Sequence, residues 1–414
     1  MPDYCLYREH LKSGSNEASC LSCGRCVNSP ILDTFIQREN EIQKRKGFGI
    51  AVDIGTTTIV MALLDLYTGG IIFRHSFINP QIIFGGDVIS RVQAANDGNL
   101  ENMRSLIAEG LIKGISLLLS KNGDTQIEEI VIAGNTVMIH LLLGFSCESL
   151  GVSPFKIKHT LKNQYAAKEI FPRNSEHSFL LKNNRAMSIR VIPWFSAYVG
   201  GDITSGLLSL LPEGKKRFLL LDLGTNGEIA FYNDKKLTVT SCAAGSAFEG
   251  QGGASNVISE TAKLLREGKI DRTGLIAEME GGGNQEKMAH TRKQVRGLQL
   301  AKSAIRSAVE ILLDETGVNY ESLEKVYLAG GIGQAVNVND AVAIGVIPKE
   351  LESAAAAAGN ASLAGAVRYL ISPLRANEDA LSLLSDFNEI NLGGHPKFND
   401  LFIKYMFFNT RLFR

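Results

Sequence analysis

The chain lacks an excess of charge, a long apolar run and a rich supply of cysteine. Its 414 residues include 43 Lys+Arg and 43 Asp+Glu, so no basic field is present to attract nucleic acid. No apolar stretch reaches the roughly 18–20 residues of a membrane-spanning helix, and Met1–Cys5 does not resemble the start of a signal peptide. We therefore expect a cytoplasmic protein of two or three domains that binds neither nucleic acid nor membrane. Its six cysteines are expected to be ligands or free thiols rather than disulfides.

The P-loop motif G-x-x-x-x-G-K-[ST] is also absent, which excludes a P-loop nucleotide site. The chain has instead two similar segments, Ile50–Thr58 and Leu219–Gly227, in which an apolar run ends in the motif Asp-x-Gly-Thr. Glycine lets an anion approach the backbone N–H groups, and threonine hydroxyls donate to phosphate oxygens. One copy would fit a simple β-turn, but two copies predict a phosphate site. Its predicted contacts are Gly55, Thr56, Thr57, Gly224, Thr225, Asn226 and Gly227.

Four acidic residues border these loops and are the predicted catalytic residues. Asp53 and Asp222 stand at the ends of the two apolar runs, where each could hold a Mg²⁺ ion through the water ligands of the ion. Glu228 and Glu249 border the second loop and are candidates to orient a hydrolytic water.

Two further aspartates, Asp87 and Asp202, each follow a Gly-Gly pair. Either could face the phosphate site as an additional Mg²⁺-binding or water-orienting group. Either could instead cap the N-terminus of a helix. The sequence leaves both interpretations open.

The two segments open two halves that share an order of parts. In each half three strands come first, joined by tight turns, and helices follow, and then a strand that ends in Ala-Gly at Gly134 or Gly330. The second half is longer, with an insertion expected near Ala254–Arg292. This order predicts a mixed α/β sheet covered by helices in each half. The Ala-rich stretch Ser353–Ala366 is predicted to form two helices broken at Gly359.

Glycines cluster after the last of these strands, at Gly330, Gly331 and Gly333. They stand between an apolar strand and a helix-like segment, Ala335–Ile344, where close backbone approach and a helix N-terminus favour an anionic ligand. A plain strand-to-helix turn fits the same residues. Their place at the end of a duplicated half favours ligand binding.

Together these parts resemble the actin / sugar kinase / Hsp70 superfamily. The resemblance implies an α/β fold of duplicated RNase H-like domains around an ATP cleft, with an adenosine motif at Gly330–Gly333. A narrower resemblance covers almost all of Gly47–Phe408 and is to the reductive activators of corrinoid proteins, which are iron–sulfur ATPases. The segments that carry it are Asn79–Gln81, Phe84–Arg91, Gly134–Met138, Ser196–Asp202, Asp222–Glu228, Ala243–Gly250, Gln294–Ala304 and Gly359–Gly365.

The chain departs from this family pattern in two respects. Ser246 stands where the family commonly has proline, in Ala244–Gly250. The ferredoxin domain and the middle domain that are typical of the family are expected to be absent.

A cysteine triplet precedes the two halves. Cys20, Cys23 and Cys26 have the C-x₂-C-x₂-C spacing of a bacterial [4Fe–4S] site. The fourth cysteine of the usual run would fall at Pro30, so Cys5 is the nearest candidate for the fourth ligand. A Cys₄ zinc site is the alternative, although zinc ligands usually come as two separated pairs. The plant-type spacing is absent, so no [2Fe–2S] cluster is predicted.

The chain is expected to divide into three parts. These are a cysteine-rich iron–sulfur segment with its linker, residues 1–46, a first RNase H-like domain, residues 47–195, and a second, residues 196–414, whose C-terminal tail packs back on the first. Cys147 and Cys242 lie in apolar sequence and are expected to be buried free thiols.

The resemblance implies an enzyme that couples ATP hydrolysis to electron transfer and reduces the cobalt of a corrinoid protein from Co(II) to Co(I). Its cofactors would be ATP, Mg²⁺ and a [4Fe–4S] cluster, its electron donor a protein such as ferredoxin, and its assembly a homodimer. Three alternatives stay open: a small-molecule kinase of the same superfamily, an ATP-dependent activator of another low-potential enzyme, and a nucleotide-sensing adaptor that carries zinc. A kinase would need a base against a substrate hydroxyl and would not need the cysteine triplet.

Overall fold

The computed structural model describes residues 42–120, 126–162, 164–171, 187–224, 226–244, 254–276, 285–330 and 336–408. The first half of the chain contributes six strands: β1 (Phe48–Ile54), β2 (Thr58–Asp65), β3 (Ile71–Ile78), β4 (Ile127–Gly134), β5 (Tyr165–Ala166) and β6 (Ser188–Val191). Its α-helices are α1 (Val88–Ala94), α2 (Leu100–Ser120), α3 (Thr136–Leu143), α4 (Glu148–Gly151), α5 (Ala167–Ile170) and α6 (Gly201–Leu210).

The second half contributes another six strands: β7 (Arg217–Leu223), β8 (Gly227–Asn233), β9 (Lys236–Cys242), β10 (Lys325–Ala329), β11 (Ala355–Gly359) and β12 (Phe387–Ile390). Its α-helices are α7 (Ala254–Arg266), α8 (Gln285–Thr316), α9 (Val338–Ile344), α10 (Ala361–Ile371), α11 (Pro373–Ser385) and α12 (Phe398–Met406). Short 3₁₀ helices lie at Pro80–Phe84, Leu211–Glu213, Tyr320–Ser322, Lys349–Leu351 and Leu392–Gly394, and a short π-helix lies at Ala95–Asn99.

The strands form two six-stranded sheets that share the order of five strands, while the sixth strand pairs at opposite edges, β5 with β6 and β12 with β9. One sheet has the order β3-β2-β1-β4-β6-β5 and the other the order β11-β10-β7-β8-β9-β12. In each, three antiparallel strands come first, and the first strand then pairs in parallel with β4 or β10. Strand β4 pairs in parallel with β6, and β10 pairs in parallel with β11. The predicted α/β fold of duplicated RNase H-like domains is therefore confirmed.

The central strands of each sheet are apolar and are buried on both faces. Four consecutive residues are buried in β1 and again in β7, where an alternating pattern would mark a sheet with one wet face. Each sheet has its own apolar core. Met61 and Ile132 belong to the first core, and Phe231 and Leu328 to the second. In the part of the chain that the structure describes, no helix is both long and apolar enough to cross a membrane.

The contacts group the described residues into two compact units. The N-terminal unit contains residues 42–214 and 360–385, and the C-terminal unit contains residues 215–359 and 386–408. Helices α10 and α11 thus belong with the first sheet, although they come late in the sequence. Helix α6 belongs with the first sheet as well. The prediction had placed residues 196–214 and 360–385 in the second domain.

Of the two helices predicted for the Ala-rich stretch, the first is wrong and the second is confirmed as α10. Residues Ala355–Gly359 form β11 and not a helix, and they pair in parallel with β10. Alanine favours helices, but its small side chain also fits a strand, and pairing with a buried neighbour overrides the local preference. The helix α10 begins only at Ala361, after Gly359 with its φ of 69°.

Candidate functional site

In the N-terminal unit, Asp53 lies near the carboxyl end of β1, beside Ala133 of the parallel strand β4. Its carboxylate accepts two hydrogen bonds from side chains of a distant segment: Asn360 Nδ2 donates to Oδ2 at 2.9 Å, and Ser362 Oγ donates to Oδ1 at 2.7 Å. Burial raises the pKa of Asp53, although both hydrogen bonds act in the opposite direction. The predicted site residue Asp53 is therefore a desolvated carboxyl group with donors on both oxygens.

Asp202 is the second carboxyl group of this site. It lies in the first turn of α6, and its Oδ1 accepts a hydrogen bond from the backbone N–H of Ile203 at 2.9 Å. Burial, followed by the negative charge of Asp53, raises the pKa of Asp202 to about 7. Both residues keep part of their surface exposed. Two mutually repelling carboxyl groups with an open side are a donor set that suits a hard cation such as Mg²⁺.

Two glycines bring α6 close enough to place Asp202 there. A Cβ on Gly200 would lie 2.6 Å from the backbone nitrogen of Thr136, and a Cβ on Gly201 would lie 2.4 Å from the carbonyl oxygen of Ile192. Thr136 is itself held by a 2.6 Å hydrogen bond from its hydroxyl to the carbonyl of Ser196. The Gly-Gly pair before Asp202 therefore allows close backbone approach, and Gly200 rather than Asp202 is the N-cap.

Asp87, which follows the other Gly-Gly pair, has the alternative role. It is the N-cap of α1, where Oδ1 accepts from the Ser90 backbone at 2.8 Å and Oδ2 from the Ser90 hydroxyl at 2.6 Å. Burial alone would raise its pKa, but these hydrogen bonds and the charge of Arg91 outweigh it and lower the pKa of Asp87. The capping interpretation is confirmed for Asp87.

The first predicted phosphate loop follows β1, and hydrogen bonds to the carbonyl groups of the loop hold it in place. Asn79 Nδ2 donates to the carbonyl of Gly55 at 2.9 Å, and Arg91 Nη2 donates to the carbonyl of Thr56 at 2.7 Å. The backbone N–H of Asn79 donates to the carbonyl of Thr57 at 2.9 Å. Asn79 and Arg91 are both fully buried. These contacts make the loop a rigid turn, which is what pre-organised binding of an anion requires.

The C-terminal unit has a corresponding carboxylate at the end of β7. Asp222 pairs with Ala329 of β10 and lies opposite Glu228 of β8. Gly330, at a φ of 79°, passes so close that a Cβ there would lie 2.3 Å from Asp222 Oδ1. The turn between β7 and β8 is closed by a 3.0 Å hydrogen bond from the Gly224 N–H to the carbonyl of Asn226.

Glu228 is buried and lies near the thiol of Cys242. Burial first, and then the charge of Glu228, raise the pKa of Cys242 to about 12. Burial likewise raises the pKa of Cys147 to about 12. Both cysteines are buried free thiols, as predicted.

Several predicted site residues lie outside the described residues: Cys5, Cys20, Cys23, Cys26, Thr225, Glu249, Gly331 and Gly333. Within the described ranges, no three His, Cys, Asp or Glu side chains come together in an arrangement that could hold a metal ion.

Sequence reasoning missed the residues that support Asp53 and its loop. Asn360 and Ser362 lie in the stretch to which no chemistry was assigned, and Asn79 and Arg91 served only as markers of the family resemblance. The sequence did mark these residues, because all four lie in segments that carry the family resemblance. What could not be read from the sequence was which loop they contact.

Comparison with known proteins now identifies the class and the family. The family model "C-terminal domain of RACo the ASKHA domain" matches residues 216–257 and 254–413, and the model "RACo middle region" matches residues 48–211. ASKHA folds bind ATP with Mg²⁺, which agrees with the duplicated sheets and the carboxylate at the end of each first strand. The prediction that the middle domain is absent was wrong, because its model matches the N-terminal half.

The chain belongs to the reductive activators of corrinoid proteins. It is 31% identical to the "Corrinoid activation enzyme RamQ" of Eubacterium limosum, over 92% of this chain and 73% of RamQ. It is 24% identical to the "[Co(II) methylated amine-specific corrinoid protein] reductase" of Methanosarcina barkeri, over 73% of this chain and 66% of that protein. The kinase alternative is thereby disfavoured.

A solved structure agrees with this assignment. The "Reductive activator for corrinoid,iron-sulfur protein" matches with a TM-score of 0.75 and 28% identity, over 88% of this chain and 66% of the other. The chain thus spans about two thirds of that protein and of the reductase, and somewhat more of RamQ.

Proposed function

We propose that this chain hydrolyses ATP to drive the reduction of a protein-bound corrinoid from Co(II) to Co(I). The observation that carries the proposal is its similarity to RamQ over 92% of the chain. In the net reaction a reductant loses one electron, cobalt gains one electron, and ATP and water become ADP and phosphate. ATP is needed because Co(I) is strongly reducing, so that electron transfer to Co(II) from an ordinary donor is uphill.

The phosphate groups of ATP are proposed to bind at the two Gly-Thr loops, Gly55–Thr57 and Gly224–Gly227. Support comes from the first loop, whose carbonyl groups are fixed by buried Asn79 and Arg91. A fixed turn loses little entropy when an anion binds. Gly330, Gly331 and Gly333 are proposed to approach the adenosine, as in the superfamily that the sequence resembles.

Mg²⁺ is proposed to lie near Asp53 and Asp222, held through its water ligands, with Asp202 as a further partner beside Asp53. When bound, the ion would neutralise charge on the phosphates. The raised pKa of Asp202 supports this placement, because two carboxyl groups in one desolvated site repel each other until a cation joins them. Glu228 and Glu249 are the candidates to orient the attacking water.

Cys20, Cys23, Cys26 and Cys5 are proposed to hold a [4Fe–4S] cluster. Three closely spaced thiolates are the donor set that such a cluster takes from a protein. A cluster there would supply a one-electron carrier. A ferredoxin-like donor, a homodimeric assembly and a cytoplasmic location complete the proposal.

The proposal is tested anaerobically with reconstituted protein. The corrinoid partner is represented by a methylated-amine-specific corrinoid protein in the Co(II) state, the type of protein named for the Methanosarcina relative. We expect the Co(I) absorption band to develop only when Mg²⁺-ATP and a reductant are both present. ATP hydrolysis without any cobalt reduction would contradict the proposal.

Cysteine variants separate the two activities. Cys23→Ser is expected to abolish the absorption of the cluster near 400 nm and with it cobalt reduction, while ATP hydrolysis persists. Cys147→Ala removes a buried thiol of the folded domain and should retain both the cluster absorption and cobalt reduction. An unchanged cluster spectrum in Cys23→Ser would rule out Cys23 as a ligand.

A further inference from the structure

Asp53 is held in place by residues more than three hundred positions away. Asn360 and Ser362, which donate to its two carboxylate oxygens, are separated from it by 307 and 309 residues. Both belong to the N-terminal unit, as Asp53 does. None of the roles assigned so far to the phosphate loops accounts for this pair of contacts.

Asn360 is oriented by the helix that it starts. Its Oδ1 accepts a hydrogen bond from the backbone N–H of Leu363 at 2.7 Å, which makes it the N-cap of α10. With the oxygen engaged by the helix, the amide nitrogen of the same side chain points to Asp53. The cap therefore fixes which end of the amide the carboxylate meets.

Ser362 is fixed by the packing of α10 on α6. Its carbonyl accepts a 2.6 Å hydrogen bond from Ser205 Oγ. One turn later the helices approach so closely that a Cβ on Gly365 would lie 1.7 Å from the Ser205 carbonyl oxygen. The same helix α6 carries Asp202 in its first turn. Helix α6 thus positions one carboxyl group directly and, through Ser362, the other.

We propose that Asn360 and Ser362 are positioning residues that hold the carboxylate of Asp53 in the orientation that binds Mg²⁺ with ATP. Each donor occupies one lone-pair direction of one oxygen and leaves others for the water ligands of the ion. The pair also favours the ionised form of Asp53 in a desolvated site. This inference rests on the proposed ATPase function.

The test is the Mg²⁺ dependence of ATP hydrolysis in Ser362→Ala. Loss of one hydrogen bond to a charged carboxylate is expected to raise the half-saturating Mg²⁺ concentration about tenfold and to lower kcat. ATP binding measured without Mg²⁺ should be unchanged. Ser362→Thr, which keeps the hydroxyl, should restore most of the wild-type dependence. General destabilisation would not produce this separation.

Two further variants complete the test. Asn360→Asp keeps the cap on Leu363 but replaces the donor with a second negative charge against Asp53, so we expect a larger loss than in Ser362→Ala. Ser209→Ala is the matched control, since this buried serine on α6 donates only to the Gly206 carbonyl among its described contacts. It should behave as the wild type.

The outcomes distinguish the inference from the function on which it rests. A wild-type protein without Mg²⁺-dependent ATP hydrolysis would overturn the proposed function and this inference with it. An active wild type whose Ser362→Ala and Asn360→Asp variants keep the wild-type Mg²⁺ dependence would overturn the inference alone.

Discussion

The two units have sheets of similar strand order, but the aspartate near the end of the first strand has different surroundings in each. In the N-terminal unit, Asp53 receives two side-chain donors and has a second aspartate, Asp202, beside it. In the C-terminal unit, Asp222 lies opposite Glu228 and against a glycine in the left-handed region. Duplication preserved the strand order, which packing dictates, while the side chains at the ends of the strands diverged. From the contacts described at Asp53 and Asp202, we predict that ATP hydrolysis depends more on the carboxylates of the N-terminal unit.

The largest expected effect on ATP hydrolysis comes from replacing Asp53 or Asp222 with asparagine. Asp53→Asn would set an amide against the donors of Asn360 and Ser362 and remove charge from the carboxylate pair. We expect kcat for ATP hydrolysis to fall about 100-fold, and about tenfold for Asp222→Asn. Steady-state ATPase assays on both variants, with circular dichroism as the control for folding, measure this. Equal losses would remove the asymmetry between the units.

A second comparison concerns the two tightest glycines. Gly365→Ala would drive a methyl group into the Ser205 carbonyl, which the packed helices α6 and α10 cannot easily move. We expect it to lower the free energy of unfolding by about 3 kcal/mol. Gly330→Ala meets the side chain of Asp222 and adds left-handed strain, for a cost of about 1–2 kcal/mol.

Urea unfolding of the two glycine variants gives the values. Gly86→Ala is the control, because nothing lies within 4 Å of a Cβ at that position. A Gly365→Ala variant as stable as Gly86→Ala would show that the α6–α10 crossing is looser than the structure describes.

A third prediction compares equivalent positions on β4 and β10. Glu129 is buried on β4 and accepts from Arg45 Nη1 and from Arg190 Nε, both at 3.0 Å. Lys325 holds the matching register position on β10, four residues before the alanine that pairs with the aspartate. Glu129→Gln should lower the free energy of unfolding by about 2 kcal/mol, since two charged hydrogen bonds weaken. Lys325→Gln should change it by less than about 0.5 kcal/mol.

Thermal and urea unfolding of the Glu129 and Lys325 variants test this difference. The same measurement tests whether Glu129 anchors the segment around Arg45, which follows the cysteines in the sequence. Arg45 also donates to the Leu370 carbonyl at the end of α10. If both variants are equally stable, Glu129 does not anchor this segment.

The smallest predicted effect is a pH dependence in the C-terminal unit. Lys302 is buried on α8, and its Nζ donates to the carbonyls of Tyr405 and Phe407. Burial, followed by the charge of Arg306, lowers the pKa of Lys302 to about 7 from 10.5. Between these values the unfolded chain binds more protons, so this residue makes the free energy of unfolding rise with pH.

From pH 6 to pH 8 the rise should be about 1 kcal/mol. Lys302→Met keeps the volume and removes the titration, so the difference between variant and wild type should change over this range. Unfolding curves at several pH values measure it. A constant difference would show that Lys302 titrates outside this range.

The local parts of the fold were predictable from the sequence. The three strands predicted at the start of each half are β1–β3 and β7–β9, and Asp53 and Asp222 lie near the strand ends where the apolar runs stop. These features depend on neighbouring residues, so periodicity and turn chemistry reveal them. The Ala-rich β11 was mispredicted because its conformation depends on β10, which lies elsewhere in the sequence.

The supporting contacts of the site could not be predicted in the same way. Asn79 and Arg91 reach the loop after β1 from the segment behind β3, and Asn360 and Ser362 reach Asp53 from the far end of the chain. A motif records that residues recur together, but it carries no information about which atoms meet. Asp87 and Asp202, alike in sequence, differ for this reason.

By itself the sequence determined the duplicated plan, the two Asp-x-Gly-Thr motifs and the membership of the family, because each of these resides in short stretches of residues. Only the tertiary structure decided that α6 and α10 pack on the first sheet and that Asp202 and not Asp87 joins Asp53. These choices follow from close backbone approaches at Gly200, Gly201 and Gly365, which bring together groups that are far apart in the chain. The burial that results makes the charges of these groups interact strongly.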